Sequence, residues 1–364
     1  MKTSSIVTLD NLVSAVNDQQ ELKSDVITNT ANVTMTATTP EAGSPFNQLV
    51  IQDSNFHREF DTINNHAHGQ LANRLKIPKP YYDRMPPELR ATNVNHWLHE
   101  SKEKRLFRCL GNTVRAVVSN SYYCYDHIDI LEAVLPVLFE FPNMKILSCD
   151  ITDKKLYLKV GFEGMQLEVA PGDVVESGVI ISNSEVGAGS AIVQPYLNRL
   201  WCSNGCWSSE YGQNKAHLGS RISNSDKAQE IFSDDTKKKE KEATSAIMAD
   251  TVRACIDETK FATIVNDFKS KMDVPIEGDV IETIEHVGKK LNLAEFETKA
   301  ALNHLLTAPD LEKHRNNGFG IINAITRTAE DSDSYDRATE LEKIGGDLSA
   351  MDNADFNRLL NKVA

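Results

Sequence analysis

Two arginines stand at matching positions on either side of a short glycine turn, and together they could bind an anion. Arg108 and Arg115 flank Gly111-Asn112, and the runs 105–110 and 113–118 have the composition of strands. The two-residue loop predicts a tight β-hairpin with Arg108 directly opposite Arg115 on one face. Like charges in a cross-strand pair repel, so a phosphate between the guanidinium groups would offset the repulsion. The alternative is that both side chains extend into water.

These arginines belong to a basic segment of an otherwise acidic protein. The chain of 364 residues has a net charge of −13, but between Arg74 and Arg115 ten Lys or Arg residues stand against four acids. This asymmetry favours an anionic partner for the segment, although a solvated charged surface would have the same composition. Tyr122 and Tyr123 follow the hairpin and could stack on nucleic-acid bases. Packing at the edge of a sheet is the alternative for both tyrosines.

A second set of polar residues lies between apolar strands further along the chain and could bind a polar substrate. Glu185 could act as a catalytic carboxylate, but no acidic partner is placed near it, and capping of its own glycine turn is the preferred interpretation. A hydrogen-bonded turn network that satisfies buried backbone is the alternative to an enzyme site. No catalytic residue, metal or cofactor is therefore assigned to this set: Asn183, Glu185, Arg199, Asn204 and His217.

The elements that position these residues predict an α+β fold. The hairpin, a helix over 128–139 and a meander of strands form a unit with an antiparallel sheet. A mostly helical C-terminal region follows this unit. The expected organisation is a loosely held N-terminal arm (1–53), an α+β core domain (54–222) and a helical region (223–364). Within the core domain, the spacing of apolar residues over 54–75 predicts a further helix.

Composition limits the class of protein. The six cysteines are dispersed and are expected to be reduced thiols. No run approaches the roughly 20 apolar residues of a membrane span, and residues 1–6 lack the apolar core of a signal peptide. A cytoplasmic location is therefore expected. Residues 241–364 carry a net charge of about −8, which favours a surface for a protein partner.

Several short motifs, taken in order, resemble the phage- and plasmid-borne proteins grouped as a family of unknown function. The resemblance covers roughly residues 70–350 and implies a mobile element that replicates inside a bacterial host cell. It is carried by Ser119-Asn120-Ser121-Tyr122, Asn183-Ser184-Glu185-Val186-Gly187, Arg199-Leu200-Trp201-Cys202-Ser203-Asn204-Gly205, His217-Leu218-Gly219 and Asn323-Ala324-Ile325-Thr326-Arg327.

At the level of the fold, the hairpin, helix and strand meander are similar to the core of phage single-strand annealing proteins. This similarity implies binding of single-stranded DNA in recombination or replication, and a homo-oligomer. The alternative function is an acidic interaction protein that binds and modulates a host factor without catalysis. The residues implied in DNA binding are Lys102, Lys104, Arg105, Arg108 and Arg115 on the backbone, with Tyr122, Tyr123 and Trp201 as stacking surfaces.

Overall fold

The chain is an α+β protein in which strands and helices of the N-terminal and middle parts precede a mostly helical C-terminal region. The computed structural model describes residues 8–40, 43–54, 56–200, 205–207, 212–215 and 234–361. The fold class predicted from the sequence is confirmed. Every helix in these described ranges is too short or too polar to cross a lipid bilayer.

The first described residues form regular structure that packs into the body of the protein. Helix α1 (Leu9–Leu22) begins at Thr8, whose hydroxyl oxygen accepts a hydrogen bond from the Asn11 amide at 3.2 Å. Strands β1 (Lys23–Asn29) and β2 (Val33–Thr38) follow. The expectation of a loosely held arm is wrong for residues 8–40, because four of their apolar side chains lie in hydrophobic cores: Leu12, Val16, Val33 and Met35.

A four-stranded sheet contains the predicted hairpin. Its strand order is β1, β6 (Lys104–Leu110), β7 (Thr113–Ser119) and β5 (Thr62–Ile63), and only the short β5 pairs in parallel. Gly111 in the turn has a φ of +54°, a left-handed conformation that glycine adopts without strain. The hairpin is therefore confirmed, and β1 adds a strand on the outer side of β6 that the sequence did not predict.

A three-stranded sheet and three helices cover one face of the hairpin. Strands β3 (Phe46–Gln52) and β4 (His57–Phe60) extend from β2, and α2 (Asn65–Arg74), α3 (Lys79–Arg84) and α4 (Pro87–Ser101) share their core. The helix predicted over 54–75 begins only at Asn65, because the residues before it pair as strands. Asn64 caps that helix by accepting a hydrogen bond from the Ala67 amide at 2.8 Å.

The second large sheet is the predicted meander. Helix α5 (His127–Leu138) precedes strands β8 (Met144–Ile151), β9 (Leu156–Ala170), β10 (Asp173–Asn183) and β11 (Ala191–Arg199), which pair in sequence order. Two short strands, β12 (Gly205–Trp207) and β13 (Gln213–Lys215), both pair with β11. Nearly every side chain of β10 and β11 is buried, so this sheet is covered on both faces.

The C-terminal helices provide much of that cover. They share one core with strands of the second sheet through Val169, Val175 and Leu197, so residues on either side of position 222 pack together. The expected boundary at 222 itself lies outside the described residues. The helices are α6 (Asp234–Cys255), α7 (Glu258–Ser270), α8 (Val280–Lys290), α9 (Glu295–Thr307), α10 (Gly318–Arg327), α11 (Tyr335–Ala350) and α12 (Asn353–Asn361).

Candidate functional site

The two hairpin arginines point to the same side of the sheet, but they are not directly opposite each other. The register pairs Cys109 with Val114 as predicted, and an irregularity then pairs Arg108 with Ala116, so Arg115 is the extra residue of a β-bulge. Bulges increase local twist and redirect a side chain. Here the bulge directs Arg115 to the same neighbour that Arg108 contacts, which is Glu185 in the turn after β10.

Both arginines contact Glu185, Arg115 at the side-chain carboxylate and Arg108 at the backbone oxygen. Arg115 donates a hydrogen bond to Oε2 of Glu185 at 2.9 Å, and Lys23 and the His127 amide donate to Oε1 at 2.5 and 2.7 Å. Arg108 donates to the backbone oxygen of Glu185 at 2.9 Å. Burial opposes ionisation of Glu185, but His127, Lys23 and Arg115 hold its pKa well below the usual range.

Arg108 has two further carboxylate partners. Its guanidinium group lies 2.9 Å from Asp126 and 3.0 Å from Asp25, and the whole residue is only 1% exposed. Burial lowers the pKa of Arg108, but Asp126 first, and then Asp25 and Glu185, raise it above the ordinary value. The expectation that Arg108 and Arg115 contact DNA is therefore wrong, because both guanidinium groups are buried and neutralised from within the chain.

This cluster joins four separate parts of the fold. Lys23 and Asp25 come from β1, Arg108 and Arg115 from the hairpin, and Asp126 and His127 from the start of α5. We define the Glu185 cluster by its members: Lys23, Asp25, Arg108, Arg115, Asp126, His127, Asn183 and Glu185. The preferred interpretation of Glu185 as a cap of its own turn is wrong, because the Ala188 amide donates to the Ser184 hydroxyl instead.

Asn183 and His127 complete the inner side of the Glu185 cluster. The Asn183 side-chain amide donates to the Tyr125 carbonyl oxygen at 2.9 Å and lies 3.2 Å from Nδ1 of His127. Burial lowers the pKa of His127 to about 4, against the attraction of Glu185, so the imidazole is neutral at pH 7. A neutral ring can accept a hydrogen bond from Asn183 at Nδ1, and this network holds the start of α5 against the end of β10.

The tyrosines proposed as stacking surfaces have structural contacts. Tyr122 is buried, and its hydroxyl donates to the Ser184 carbonyl oxygen at 3.0 Å. Tyr123 is half-buried and stacks on Tyr125, with ring centroids 6.4 Å apart. Tyr122 in particular presents no open face for a base, so its expected stacking role is wrong. The edge-of-sheet packing weighed as the alternative is what the structure shows for Tyr122.

Arg199 belongs to a second buried cluster, separate from Glu185. Its guanidinium group contacts Asp173 at 2.7 Å, Asp310 at 2.9 Å and the Asn323 side chain at 3.1 Å. Asp310 and Asn323 lie beyond the second sheet in sequence, so this cluster ties β10 and β11 to the C-terminal helices. Asn183, Glu185 and Arg199 are thus parts of hydrogen-bonded networks. The other candidates Trp201, Asn204 and His217 lie outside the described residues.

The remaining predicted DNA contacts lie at the open end of the hairpin. Lys102 and Lys104 are exposed, and Arg105 pairs with Glu103 at the start of β6. Lys102 has a φ of +47° and ends α4, so the chain turns sharply there into the sheet. Ser101 and Glu103, which adjoin these residues in sequence, line an open cleft, but Lys102, Lys104 and Arg105 are not among the residues that line it.

The cleft was not predicted as a site from the sequence. It has a volume of about 710 Å³ and opens between the α2–α3 connection and the last turns of α4. Tyr81 and Trp97 are exposed in its walls, at 42% and 43%. Both aromatic residues fall within the basic segment, which is the signal that could have identified them. We define the cleft by its lining residues: Arg74, Leu75, Lys76, Ile77, Pro78, Tyr81, Asn93, Trp97, Glu100, Ser101 and Glu103.

Charges of both signs meet at the sheet end of this cleft, where Arg74 lies near Arg105 and near Glu103, which pairs with Arg105. Arg74 donates from Nε to the Val117 carbonyl oxygen at 2.7 Å, which fixes its guanidinium group at the cleft wall. Burial, and then the neighbouring Arg105, lower the pKa of Arg74, while Glu103 acts in the opposite direction. Arg84 lies 6.0 Å from the centre of the Tyr81 ring. An anionic group that entered the cleft would add to Glu103 in offsetting the repulsion between Arg74 and Arg105.

No metal centre is evident among the residues that the structure describes. No group of three or more His, Cys, Asp or Glu side chains in these ranges could hold an ion. His66 and His68 are only two positions apart, but they contact different partners. His66 contacts the Val186 carbonyl oxygen at 2.8 Å, and His68 contacts the Tyr82 hydroxyl at 2.7 Å.

Comparison with protein-family models, curated proteins and solved structures finds no match for this chain. The similarities to phage- and plasmid-borne proteins and to single-strand annealing proteins therefore stay predictions.

Proposed function

We propose that the chain binds single-stranded DNA in the cleft, as an accessory protein in recombination or replication of a mobile element. The observation that carries this proposal is the pair of exposed aromatic rings, Tyr81 and Trp97, in a cleft with Arg74 and Lys76 on its wall. The role in a mobile element depends on the sequence resemblance alone.

Aromatic side chains in a basic groove are the common device for binding single strands. Bases of a single strand expose their π-faces, and stacking on an aromatic ring contributes about 1–3 kcal/mol per base. Bases of a duplex are already stacked on each other, so exposed rings distinguish the two forms. Trp97 is fixed for this role because its Nε1 donates to the Asn93 side chain at 3.1 Å.

The segment that contains the cleft keeps an excess of positive charge after the buried arginines are discounted, while the cleft lining itself has two cations, Arg74 and Lys76, and two acids, Glu100 and Glu103. Without Arg108 and Arg115, the segment 74–105 still contains eight Lys or Arg residues against four acids. Exposed cations remain hydrated and can exchange their counterions for phosphates. The whole molecule has a charge of −13, of which about −8 lies in residues 241–364, so binding is expected to be local and to weaken steeply with salt.

The first test is the binding of a fluorescent single-stranded oligonucleotide, followed by anisotropy at low and moderate salt. We expect binding at low salt, and we expect the double variant Tyr81→Ala/Trp97→Ala to bind about tenfold or more weakly because it removes two stacking surfaces. Both residues are on the surface, so the variant should unfold at nearly the temperature of the parent protein.

The matched control is Phe296→Ala, which removes an aromatic ring that is 63% exposed on α9 in the acidic helical region. This variant should bind the oligonucleotide like the parent. Absence of binding by the parent at low salt would refute the proposal. An equal loss of affinity in Phe296→Ala would place the binding outside the cleft. If the parent does not bind, the acidic interaction protein, which modulates a host factor, becomes the better interpretation.

A further inference from the structure

Strand β1 is an edge strand with one open side. Its inner side pairs with β6 along its whole length, from Lys23 opposite Leu110 to Asn29 opposite Lys104. Within the described part of the chain, no strand pairs with its outer side. An open edge leaves a row of backbone N–H and C=O groups that can pair with another extended strand.

The outer edge of β1 lacks the features that usually prevent such pairing. Edge strands are commonly short or carry charged residues and proline. Strand β4, another edge strand, has only four residues, and two of them are Arg58 and Glu59. Strand β1 has seven residues, and near its centre Ile27 is 58% exposed. The two charged residues of β1, Lys23 and Asp25, are both engaged in the Glu185 cluster.

We propose that β1 pairs in antiparallel fashion with β1 of a second copy of this chain, about a two-fold axis at Ile27. Each Ile27 then lies opposite the same residue of the other copy, Val26 lies opposite Thr28, and Asp25 lies opposite Asn29. Apolar and β-branched cross-strand pairs of this kind stabilise sheets. A two-fold axis also makes the contact closed, so association stops at a dimer.

The exposed side chain of Ile27 and the charges on the strand together set the register. A two-fold axis at Asp25 would place two carboxylates opposite each other, which is destabilising. An axis at Val26 would place Asp25 opposite Ile27, so a charged group would face an apolar one. The axis at Ile27 avoids both and pairs the exposed apolar side chains. It also joins the two four-stranded sheets into one continuous sheet of eight strands.

The contact between the two β1 strands is small, so a low affinity is expected for the dimer. One strand pair with its adjoining side chains falls below the roughly 1,200 Å² of a standard stable interface. The dimer is therefore expected to dissociate on dilution, and its measured mass should depend on protein concentration. This inference does not depend on DNA binding, because the cleft and the outer edge of β1 are formed by different residues.

The first experiment measures mass by size exclusion with light scattering across about two decades of protein concentration. We expect the parent mass to rise towards that of two chains, and Ile27→Lys to stay at one chain because two ammonium groups would lie opposite each other. The matched control is Leu22→Lys, which changes a residue that is 57% exposed but precedes the strand. It should dimerise like the parent.

A second experiment tests the register. Opposite residues of an antiparallel pair have Cβ atoms about 4.5–5.5 Å apart, close enough for a disulfide after a small shift. Mild oxidation of Ile27→Cys should give a covalent dimer on a non-reducing gel, whereas the parent and Leu22→Cys should not. The parent and Leu22→Cys samples control for Cys124, which is only partly buried, and for Cys202, which lies outside the described residues; the other native thiols are buried: Cys109, Cys149, Cys206 and Cys255.

The proposal is overturned if the parent stays at one chain at every concentration. It is also overturned if Ile27→Lys associates as the parent does, or if Ile27→Cys gives no more covalent dimer than Leu22→Cys. Oligonucleotide binding by Ile27→Lys is measured in parallel. Retained binding by a monomeric variant separates the two proposals, so failure of one does not decide the other.

Discussion

Two regions of the molecule bring arginines together, and they use them in opposite ways. In the Glu185 cluster, Arg108 and Arg115 are 1% and 8% exposed, and carboxylates of the same chain neutralise them. At the cleft, Arg74 and Arg105 approach each other beside exposed aromatic rings. The comparison indicates that burial, and not the presence of like charges alone, separates the two regions: the Glu185 side chain is fully buried, whereas the side chain of Glu103, which pairs with Arg105, is 50% exposed.

The two regions also differ in what their charges contribute to the free energy of unfolding. Burying ions is costly, and removal of one partner from a buried pair leaves a charge with neither water nor counter-charge. Exposed cations keep their hydration and contribute little to stability. Substitutions in the Glu185 cluster should therefore change folding first, whereas substitutions at the cleft should change binding alone.

The largest effect is expected for Glu185→Ala. This change leaves Lys23 and Arg115 buried without the carboxylate that both contact. Breaking a buried ion pair costs about 3–5 kcal/mol, so the midpoint of urea unfolding, followed by circular dichroism, should fall markedly. The control is Glu100→Ala at the exposed cleft wall, which should stay within about 0.5 kcal/mol of the parent. Equal stability of the two variants would mean that the buried cluster does not hold the fold.

Much of the fold could be predicted because its signals are local. The turn at Gly111-Asn112 and the alternation around it defined the hairpin, and apolar spacing defined α5 and the C-terminal helices. Strands β1 and β2 were not predicted, because their many Thr, Ser and Asn residues make the alternation of apolar and polar side chains weak. Helix α1 was not predicted for a similar reason: its buried face consists of only two residues, Leu12 and Val16, so its apolar periodicity is weak.

The candidate site could not be predicted correctly because its decisive contact is long-range. Glu185 is 70 residues from Arg115 and 162 from Lys23 along the chain, and nothing in the local pattern of the hairpin indicates that a distant turn supplies the anion. The β-bulge that turns Arg115 towards Glu185 is also absent from a simple two-residue hairpin register. The sequence therefore predicted an anion between the arginines and missed its source.

A smaller effect on stability is expected from pH, through His127. Its pKa falls from 6.5 to about 4 in the folded protein because of burial. Between these values the unfolded chain binds a proton that the folded chain does not, so the free energy of unfolding falls as pH decreases from about 6.5 to 4. The shift corresponds to about 3 kcal/mol across that window. Above pH 6.5, His127 should contribute no pH dependence.

Urea unfolding of the parent and of His127→Gln at several pH values measures this contribution. The variant keeps a polar side chain of similar size, and its free energy of unfolding should depend less on pH between 4 and 6.5 than that of the parent. His68, whose pKa is also lowered to about 4 mainly by burial, should maintain part of the slope in both proteins. Identical slopes for parent and variant would contradict a neutral, buried His127.

The smallest effect is expected for single charges at the cleft. Lys76→Gln and Lys102→Gln each remove a charge from an exposed residue and keep most of the side-chain stem. If each lysine pairs with one phosphate, its replacement should reduce the slope of log affinity against log salt by about 0.7 for a single strand, with unchanged thermal unfolding.

The controls Lys289→Gln and Lys290→Gln change the net charge equally on α8, far along the chain from the cleft. If the control variants reduce the slope as much as the Lys76 and Lys102 variants do, oligonucleotide binding depends only on the total charge of the protein. A reduction confined to Lys76 and Lys102 would instead place phosphates at the cleft, where the cations are exposed to solvent, in contrast to the arginines around Glu185.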